Sequence, residues 1–326
     1  MPLLLRETDV RAVLPMTDLI AEMEVALAQF SAGAVQQPLR TVLEVGSEHA
    51  FFGVMPAALR DPDAVGTKLV TVFHSNASRG LPSHLATIVL FDPHTGALVA
   101  ILDGRYITEA RTAAVSAVST KHLAREGARS LAILGSGVQA RSHLEALGCV
   151  RTFEEVRVWS PTRAHADAFA RDHQAGTPAR ISVAASPEAA VAGADVVALV
   201  TASREPVVRD EWIAPGAHIC AVGACRPDQR EVDTALAVRA RVFVDSRVAA
   251  LAEAGDLVIP MKEGAIGPSH IVGELGDVVA GRVQGRLGDT DVTMFESLGM
   301  AVEDVSAARL AWERALERGL GTKITL

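Results

Sequence analysis

The sequence predicts an α/β chain in which a doubly wound parallel domain interrupts a second, α+β domain. Three observations predict it. Short apolar runs alternate with helical segments through the middle of the chain, the pattern of βαβ units on a parallel sheet. The turn Gly135-Ser136-Gly137-Val138-Gln139-Ala140 opens the first of those helices. The first hundred residues instead read as strands joined by turns, and helical stretches lie near both ends of the chain.

The glycine turn follows the apolar run Leu131–Leu134 and fits Gly-x-Gly-x-x-Gly/Ala. Gly135 permits the tight turn, Gly137 leaves the backbone open to a pyrophosphate, and Ala140 keeps helix close to strand. Free amides at the helix start attract an anion, so Gly135, Gly137, Val138 and Gln139 are candidate cofactor residues. An ordinary strand-to-helix loop can carry the same glycines, so the surrounding pattern matters. Strand runs follow at 155–159, 180–183, 195–200, 218–222 and 241–245, with helices at 164–171 and 186–192. With the first run, these six strands fit a Rossmann dinucleotide domain over residues 115–295. In such domains an acidic residue ending the second strand holds the ribose 2′-hydroxyl and repels a 2′-phosphate. Here that strand ends Trp159-Ser160-Pro161-Thr162-Arg163, without a carboxylate. Ser160 and Thr162 offer hydroxyls and Arg163 a guanidinium suited to phosphate. The expectation is NADP(H) preferred and NAD(H) possible; the alternative is that Arg163 is a solvated helix-start residue.

The flanking domain begins with a helix over Met16–Phe30, where Ile20, Met23, Leu27 and Phe30 recur at helical spacing. Thr17 or Asp18 is expected to cap it and Gly33 to end it. Strands are expected at 41–45, 51–54, 66–72, 85–91 and 97–102, the last two joined through Asp92-Pro93-His94-Thr95-Gly96 as a hairpin. The resulting sheet is largely antiparallel, and its exposed edges suggest pairing with another subunit. Thr108 is expected to cap a helix running to about Arg125, with Arg111 in its first turn. The stretch 298–316 reads as a helix that packs back on the first domain. Residues 1–114 with 296–326 then form one domain, 115–295 the inserted one, and the active site is expected in the cleft between them.

Composition narrows the function classes. The 326 residues are 49% apolar and 21% charged, with a net charge of −8. Lys and Arg form no basic block, so a nucleic-acid partner is not expected. The N-terminus lacks the parts of a signal peptide, and no apolar run reaches the roughly 18 residues of a membrane span. A cytoplasmic protein with no membrane partner is the expectation. Cys149, Cys220 and Cys225 are odd in number and read as free thiols. No set of side chains has metal-ligand spacing.

Three cations stand in apolar settings: Arg40 before a strand, Lys68 inside the run Val65–Val72, and Arg111 at a helix start. A lysine in an apolar strand ordinarily lies on the solvated face. Together, however, the trio suggests a site for an anionic substrate, most simply a carboxylate. His84, in Leu81-Pro82-Ser83-His84, is a candidate for cofactor contact or proton relay, though a lone histidine is more often structural.

The segments Gly66–Val70, Leu81–His84, Asp103–Ala114, Leu134–Ala140, Pro215–Asp233 and Ser297–Asp304 closely resemble the ornithine cyclodeaminase/mu-crystallin family. The resemblance covers nearly the whole chain. It implies an NAD(P) domain inserted in a substrate and dimerisation domain whose sheets pair across a homodimer. It places Arg40, Lys68 and Arg111 where the substrate carboxylate and reacting centre are gripped. Ser83, His84, Arg111, Thr112, Gly135, Gly137, Val138, Gln139, Ser160, Thr162, Arg163, Thr201, Val222, Gly223 and Ser297 fall near the cofactor. Cys225 departs from the pattern, because cyclodeaminases carry an aspartate there. A thiol does not hold that charge near neutral pH without a large pKa shift. The segment is closer to mu-crystallin-like ketimine reductases. The implied activity is NAD(P)H-dependent reduction of cyclic ketimine carboxylates: Δ1-pyrroline-2-carboxylate to L-proline, or Δ1-piperideine-2-carboxylate to L-pipecolate. Lys68 is the expected polarising or proton-donating group, its pKa lowered by desolvation. Ornithine cyclodeaminase, an alanine-type amino-acid dehydrogenase and a ligand-binding protein without turnover remain as alternatives.

Overall fold

The computed structural model describes residues 1–46 and 50–325, and its chain divides into two units, Met1–Arg111 with Gly299–Leu326 and Thr112–Leu298. The first opens with β1 (Leu3–Leu5), α1 (Glu7–Val13) and α2 (Met16–Ser31). The strands β2 (Val35–Gln36), β3 (Thr41–Val45), β4 (Ala50–Arg60), β5 (Asp63–Val72), β6 (His84–Phe91) and β7 (Leu98–Asp103) follow. The division falls within α3 (Gly104–Leu123). The second unit begins with β8 (Ser130–Leu134), α4 (Val138–Val150), β9 (Glu155–Trp159), α5 (Arg163–His173), β10 (Arg180–Val183), α6 (Pro187–Val191) and β11 (Val196–Leu199). It continues through β12 (His218–Ala221), α7 (Thr234–Arg239), β13 (Arg241–Val244), α8 (Arg247–Glu253) and α9 (Gly255–Lys262). It ends with β14 (Ile271–Glu274), α10 (Leu275–Val279) and β15 (Thr293–Glu296). The chain then re-enters the first unit as α11 (Ala301–Arg318) and β16 (Thr322–Lys323).

The sheet of the first unit has the order β16-β1-β7-β6-β5-β4-β2, with β3 also on β4. Its pairs are antiparallel except β1 with β7. β4 runs on through Pro56, further than its sequence suggests. β3 pairs with β4 as far as Val54, and β2 resumes at Ala58. Pro56 therefore occupies a stretch where one side of β4 has no ladder to interrupt. Alternation along the strands sends Met55, Ala57 and Leu59 of β4, and Ala64, Gly66 and Lys68 of β5, to the buried face. α11 packs against β4 and β5 and against α2. Val302, Val305 and Ala308 are among its buried residues, and left-handed Gly319 ends it.

Two helix starts differ from expectation. α3 begins at Gly104 rather than Thr108, because the Asp103 carboxylate accepts the Tyr106 amide at 3.2 Å and so caps the helix earlier. The Thr108 hydroxyl instead bonds back to the Gly104 carbonyl at 2.7 Å, and Arg111 lies two turns in. α2 follows Pro15, and neither Thr17 nor Asp18 caps it; the Thr17 hydroxyl donates to Asp18 at 3.3 Å. Gly33, with φ 73°, ends it as expected.

The sheet of the second unit has the order β10-β9-β8-β11-β12-β15-β13-β14 and is parallel throughout. Strands β11, β12 and β15 are buried along their whole length, as expected of strands covered on both faces. β14 and β15 were not anticipated. Each spans four residues, β14 contains Gly273, and each ends on a glutamate. The strand order reverses at β8/β11, the position where such sheets open a crevice beyond the strand carboxyl ends. Among the described residues no helix is long and apolar enough to cross a membrane.

Candidate functional site

In the second unit, Gly135 follows β8 with φ 120°, and its amide donates to the Trp159 carbonyl at 2.9 Å. A Cβ there would lie 2.7 Å from the Val200 carbonyl oxygen, so only glycine fits between the ends of β9 and β11. Gly137 is the N-cap of α4, with open space where a Cβ would stand. Val138 is 48% exposed at the first helical position. Gln139 Oε1 and the Ser297 hydroxyl are buried polar atoms without a hydrogen-bond partner. Free amides of a long helix, an open glycine and unsatisfied polar atoms fit a dinucleotide.

The loops that follow β11 and β12 are tied by a residue the sequence did not single out. Glu231 Oε1 accepts the Thr201 amide and hydroxyl, both at 2.6 Å, and Oε2 accepts the Gly223 amide at 2.7 Å. Val222, beside Gly223, is buried and its amide reaches the Leu199 carbonyl at 3.0 Å. Asp256 accepts the Glu231 and Val232 amides at 2.8 and 2.9 Å. Glu296 ends β15 fully buried, with neither carboxyl oxygen hydrogen-bonded. Burial and the Asp256 charge push the Glu231 carboxyl up to about 8. Burial lifts Asp256 to about 6. Burial, with Asp256, Glu231 and Asp245 nearby, holds Glu296 well above the ordinary carboxylate range. Burial raises all three carboxyls, and neighbouring acids add to that rise at Glu231 and Glu296.

Cys225 is half-buried in the loop after β12, with its Sγ 3.1 Å from the Val222 carbonyl. The adenosine-side candidates lie beyond β9. Ser160 is half-buried, and Thr162 is the exposed N-cap of α5. Arg163 is exposed, and its Nε lies 3.2 Å from Asp167, a carboxylate one turn on that the sequence reading did not weigh.

In the first unit the three cations converge. Lys68 is only 2% exposed, which corrects the ordinary expectation of a solvated strand lysine. Its Nζ lies 2.5 Å from Asp304 Oδ2. Asp304 Oδ1 accepts Arg111 Nε at 2.9 Å, and Glu303 Oε2 accepts Arg111 Nη1 at 2.7 Å. Both carboxylates come from the first turn of α11. Gly299, with φ 79°, lies where a Cβ would collide with the Arg111 guanidinium. Its carbonyl accepts Arg40 Nη2 at 3.2 Å.

Burial lowers the Lys68 ammonium to about 8, with Asp304 working against that fall and Arg111 and Arg40 adding to it. Burial pushes the Asp304 carboxyl upward, but Arg111 and Lys68 outweigh it and hold the group below its usual range. His84 opens β6 near the same cations; burial first, then Lys68 and Arg111, lower it to about 4, so its imidazole is neutral. Ser83 beside it is exposed, and its carbonyl accepts the Phe73 amide at 2.8 Å. Thr112, buried in α3, is the first residue of the second unit. Glu303 and Asp304 are the residues that sequence reasoning passed over. Their signal is a glutamate at the third helical position, which also closes a capping box with the Met300 amide at 3.2 Å. Among the described residues no group of three or more His, Cys, Asp or Glu side chains is arranged to hold a metal ion.

Comparison with known proteins identifies the family. The model of the ornithine cyclodeaminase/mu-crystallin family matches residues 2–319. Ketimine reductase mu-crystallin of Rattus norvegicus is 47% identical over 298 residues, covering 90% of this chain and 91% of its own. Delta(1)-pyrroline-2-carboxylate reductase of Thermococcus litoralis, solved with NADH and L-proline, superposes with a TM-score of 0.96 at 40% identity, over 99% of this chain and 100% of its own. An archaeal alanine dehydrogenase dimer with bound NAD superposes with a TM-score of 0.94 at 32% identity, over 99% of each chain. The family match over nearly the full length and these relatives make the chain a member of the ornithine cyclodeaminase/mu-crystallin family.

Proposed function

We propose that this protein is an NAD(P)H-dependent reductase of cyclic ketimine carboxylates, converting Δ1-pyrroline-2-carboxylate to L-proline and Δ1-piperideine-2-carboxylate to L-pipecolate. The observation that carries this reading is the buried Lys68, joined to Arg111 through Asp304, in a chain whose relatives include a pyrroline-carboxylate reductase solved with NADH and L-proline.

Arg40 and Arg111 bind the substrate carboxylate, for which planar guanidinium groups are suited. Lys68 holds a proton at Nζ for the imine nitrogen, and a pKa lowered to about 8 lets it exchange that proton near neutral pH. Neutral His84 adds no further cation. Gly135, Gly137, Val138 and Gln139 hold the pyrophosphate, while Thr201, Val222, Gly223 and Ser297 line the nicotinamide end. When bound, the reduced nicotinamide supplies the hydride. We assign the 2′-phosphate of NADP(H) to Ser160, Thr162 and Arg163, with NAD(H) also accepted.

We further propose a homodimer formed through the first unit. β3 is exposed along its length, and Val42 and Leu43 are 49% and 55% exposed. Exposed apolar edge strands of this kind are ordinarily covered by a partner.

The test is NAD(P)H oxidation with the five- and six-membered ketimines beside ornithine, lysine, and pyruvate with ammonia. Saturable oxidation with a ketimine is expected. Ammonia release from ornithine with catalytic NAD⁺ makes the protein a cyclodeaminase instead. Alanine-dependent NADH production makes it an alanine dehydrogenase.

A further inference from the structure

Lys68 arises from β5 and meets charged and titratable groups from several elements. α11 presents Asp304 Oδ2 at 2.5 Å from Nζ. α3 presents Arg111, which is held by Asp304 and Glu303. The segment before β3 brings Arg40, whose guanidinium donates to the Gly299 carbonyl, and β6 brings His84. Arg40 and Arg111 disfavour a charged amine, and so does burial. Asp304 opposes all three, and it is itself fully buried. Water cannot take over its role if it is removed, because a dry site leaves an ammonium uncompensated.

We propose that Asp304 is the positioning residue that keeps the Lys68 ammonium charged and aimed, and so sets the alkaline limit of the reaction. The inference rests on the reading above, in which Lys68 protonates the imine. In that step a hydride carries two electrons to the ring carbon. One Nζ–H bond breaks with its electron pair remaining on Lys68, and a new N–H bond forms on the ring nitrogen. Asp304 stays ionised throughout, and solvent returns the proton to Lys68. Glu303 has a different role, since it anchors Arg111 rather than the amine.

Lys68, Lys121, Lys262 and Lys323 are the lysines of the chain, so the Cε signals of ¹³C-lysine-labelled protein report Lys68 directly. Lys68→Met, which deletes one signal, assigns it. In the wild-type protein the Lys68 titration midpoint and the alkaline limb of kcat/KM for the ketimine are expected to coincide. In Asp304→Asn both are expected to fall together by about one to three pH units, the usual effect of an adjacent opposite charge. Activity lost at pH ~8 then returns towards wild type near pH ~6. Asp304→Glu, which keeps the carboxylate, is expected to undo most of that shift. A purely structural role would lower activity at every pH and leave the midpoint in place.

The proposal is overturned if the midpoint of folded Asp304→Asn does not move. It is equally overturned if the wild-type midpoint and limb differ by more than about one pH unit, a comparison that needs no variant. If Lys68 titrates as described but no ketimine is reduced, the proposed activity fails while the hold of Asp304 on Lys68 stands.

Discussion

Each unit buries a cluster of ionisable side chains, and the two clusters behave in opposite ways. In the first unit Asp304, with no exposed surface, is held below its ordinary range by Arg111 and Lys68 in spite of burial. In the second unit Glu296, as deeply buried, is held well above its ordinary range by burial and by three other acids. Burial alone does not decide ionisation; the sign of the neighbours does. The first cluster keeps its charges in place before any ligand arrives. The second delays the charging of its carboxyls to higher pH, with Asp256 raised to about 6 and Glu231 to about 8, while backbone amides from two strand-end loops close on Glu231.

The sharpest way to break this contrast is to remove the amine. Lys68→Met is expected to lower kcat/KM with the ketimine by about 10²–10⁴-fold, the range for a positioned proton donor. Steady-state rates below pH ~7 measure it, where the amine is charged. Next in size, Arg111→Met leaves Glu303 and Asp304 buried without their guanidinium. Urea denaturation should register a loss of about 3–5 kcal/mol, and KM for the substrate should rise.

The second cluster gives a smaller effect of opposite pH sense. A carboxyl whose folded pKa is raised stabilises the fold below its unfolded pKa, and that stability is lost as pH rises through the folded value. For Glu231 the window runs from 4.5 to about 8. Melting temperature should therefore decline as pH climbs through that interval. Glu296→Gln removes one of the facing acids and should flatten the decline, by about 1–3 kcal/mol at its alkaline end; an unchanged slope removes the like-charge account. The smallest effect concerns an exposed pair. Arg163→Ala should raise KM for NADPH about tenfold, the worth of one charge-assisted hydrogen bond, and leave KM for NADH nearly unchanged. An equal change for both cofactors removes the 2′-phosphate assignment.

Much of the fold was legible because its signals are local. The glycine turn needs φ 120° at Gly135 and a strand on each side, and both conditions are written within thirty residues. The Asp92–Gly96 turn likewise closes on itself, with the Asp92 carboxylate accepting the His94 and Thr95 amides. The start of α3 was misread because two residues compete to cap it, Asp103 and Thr108, and the apolar pattern does not separate them. β14 and β15 were missed because strands of four residues ending in glutamate carry too little pattern to register. At the candidate site, the cations Arg40, Lys68 and Arg111 stood out by residue type. Their counter-ions did not, because Glu303 and Asp304 look like the ordinary acidic first turn of a helix.

The sequence by itself determined the alternation of strands and helices, the glycine turn and the cationic residues, since each depends on neighbours a few positions away. Only the tertiary structure decided that Lys68 is buried rather than solvated, and that Arg111 meets Asp304 from 193 residues away. Packing of α11 on β5 brings Asp304 to Lys68. A long-range contact in a dry core obeys Coulomb's law and geometry, and neither is encoded in the spacing of residues along the chain.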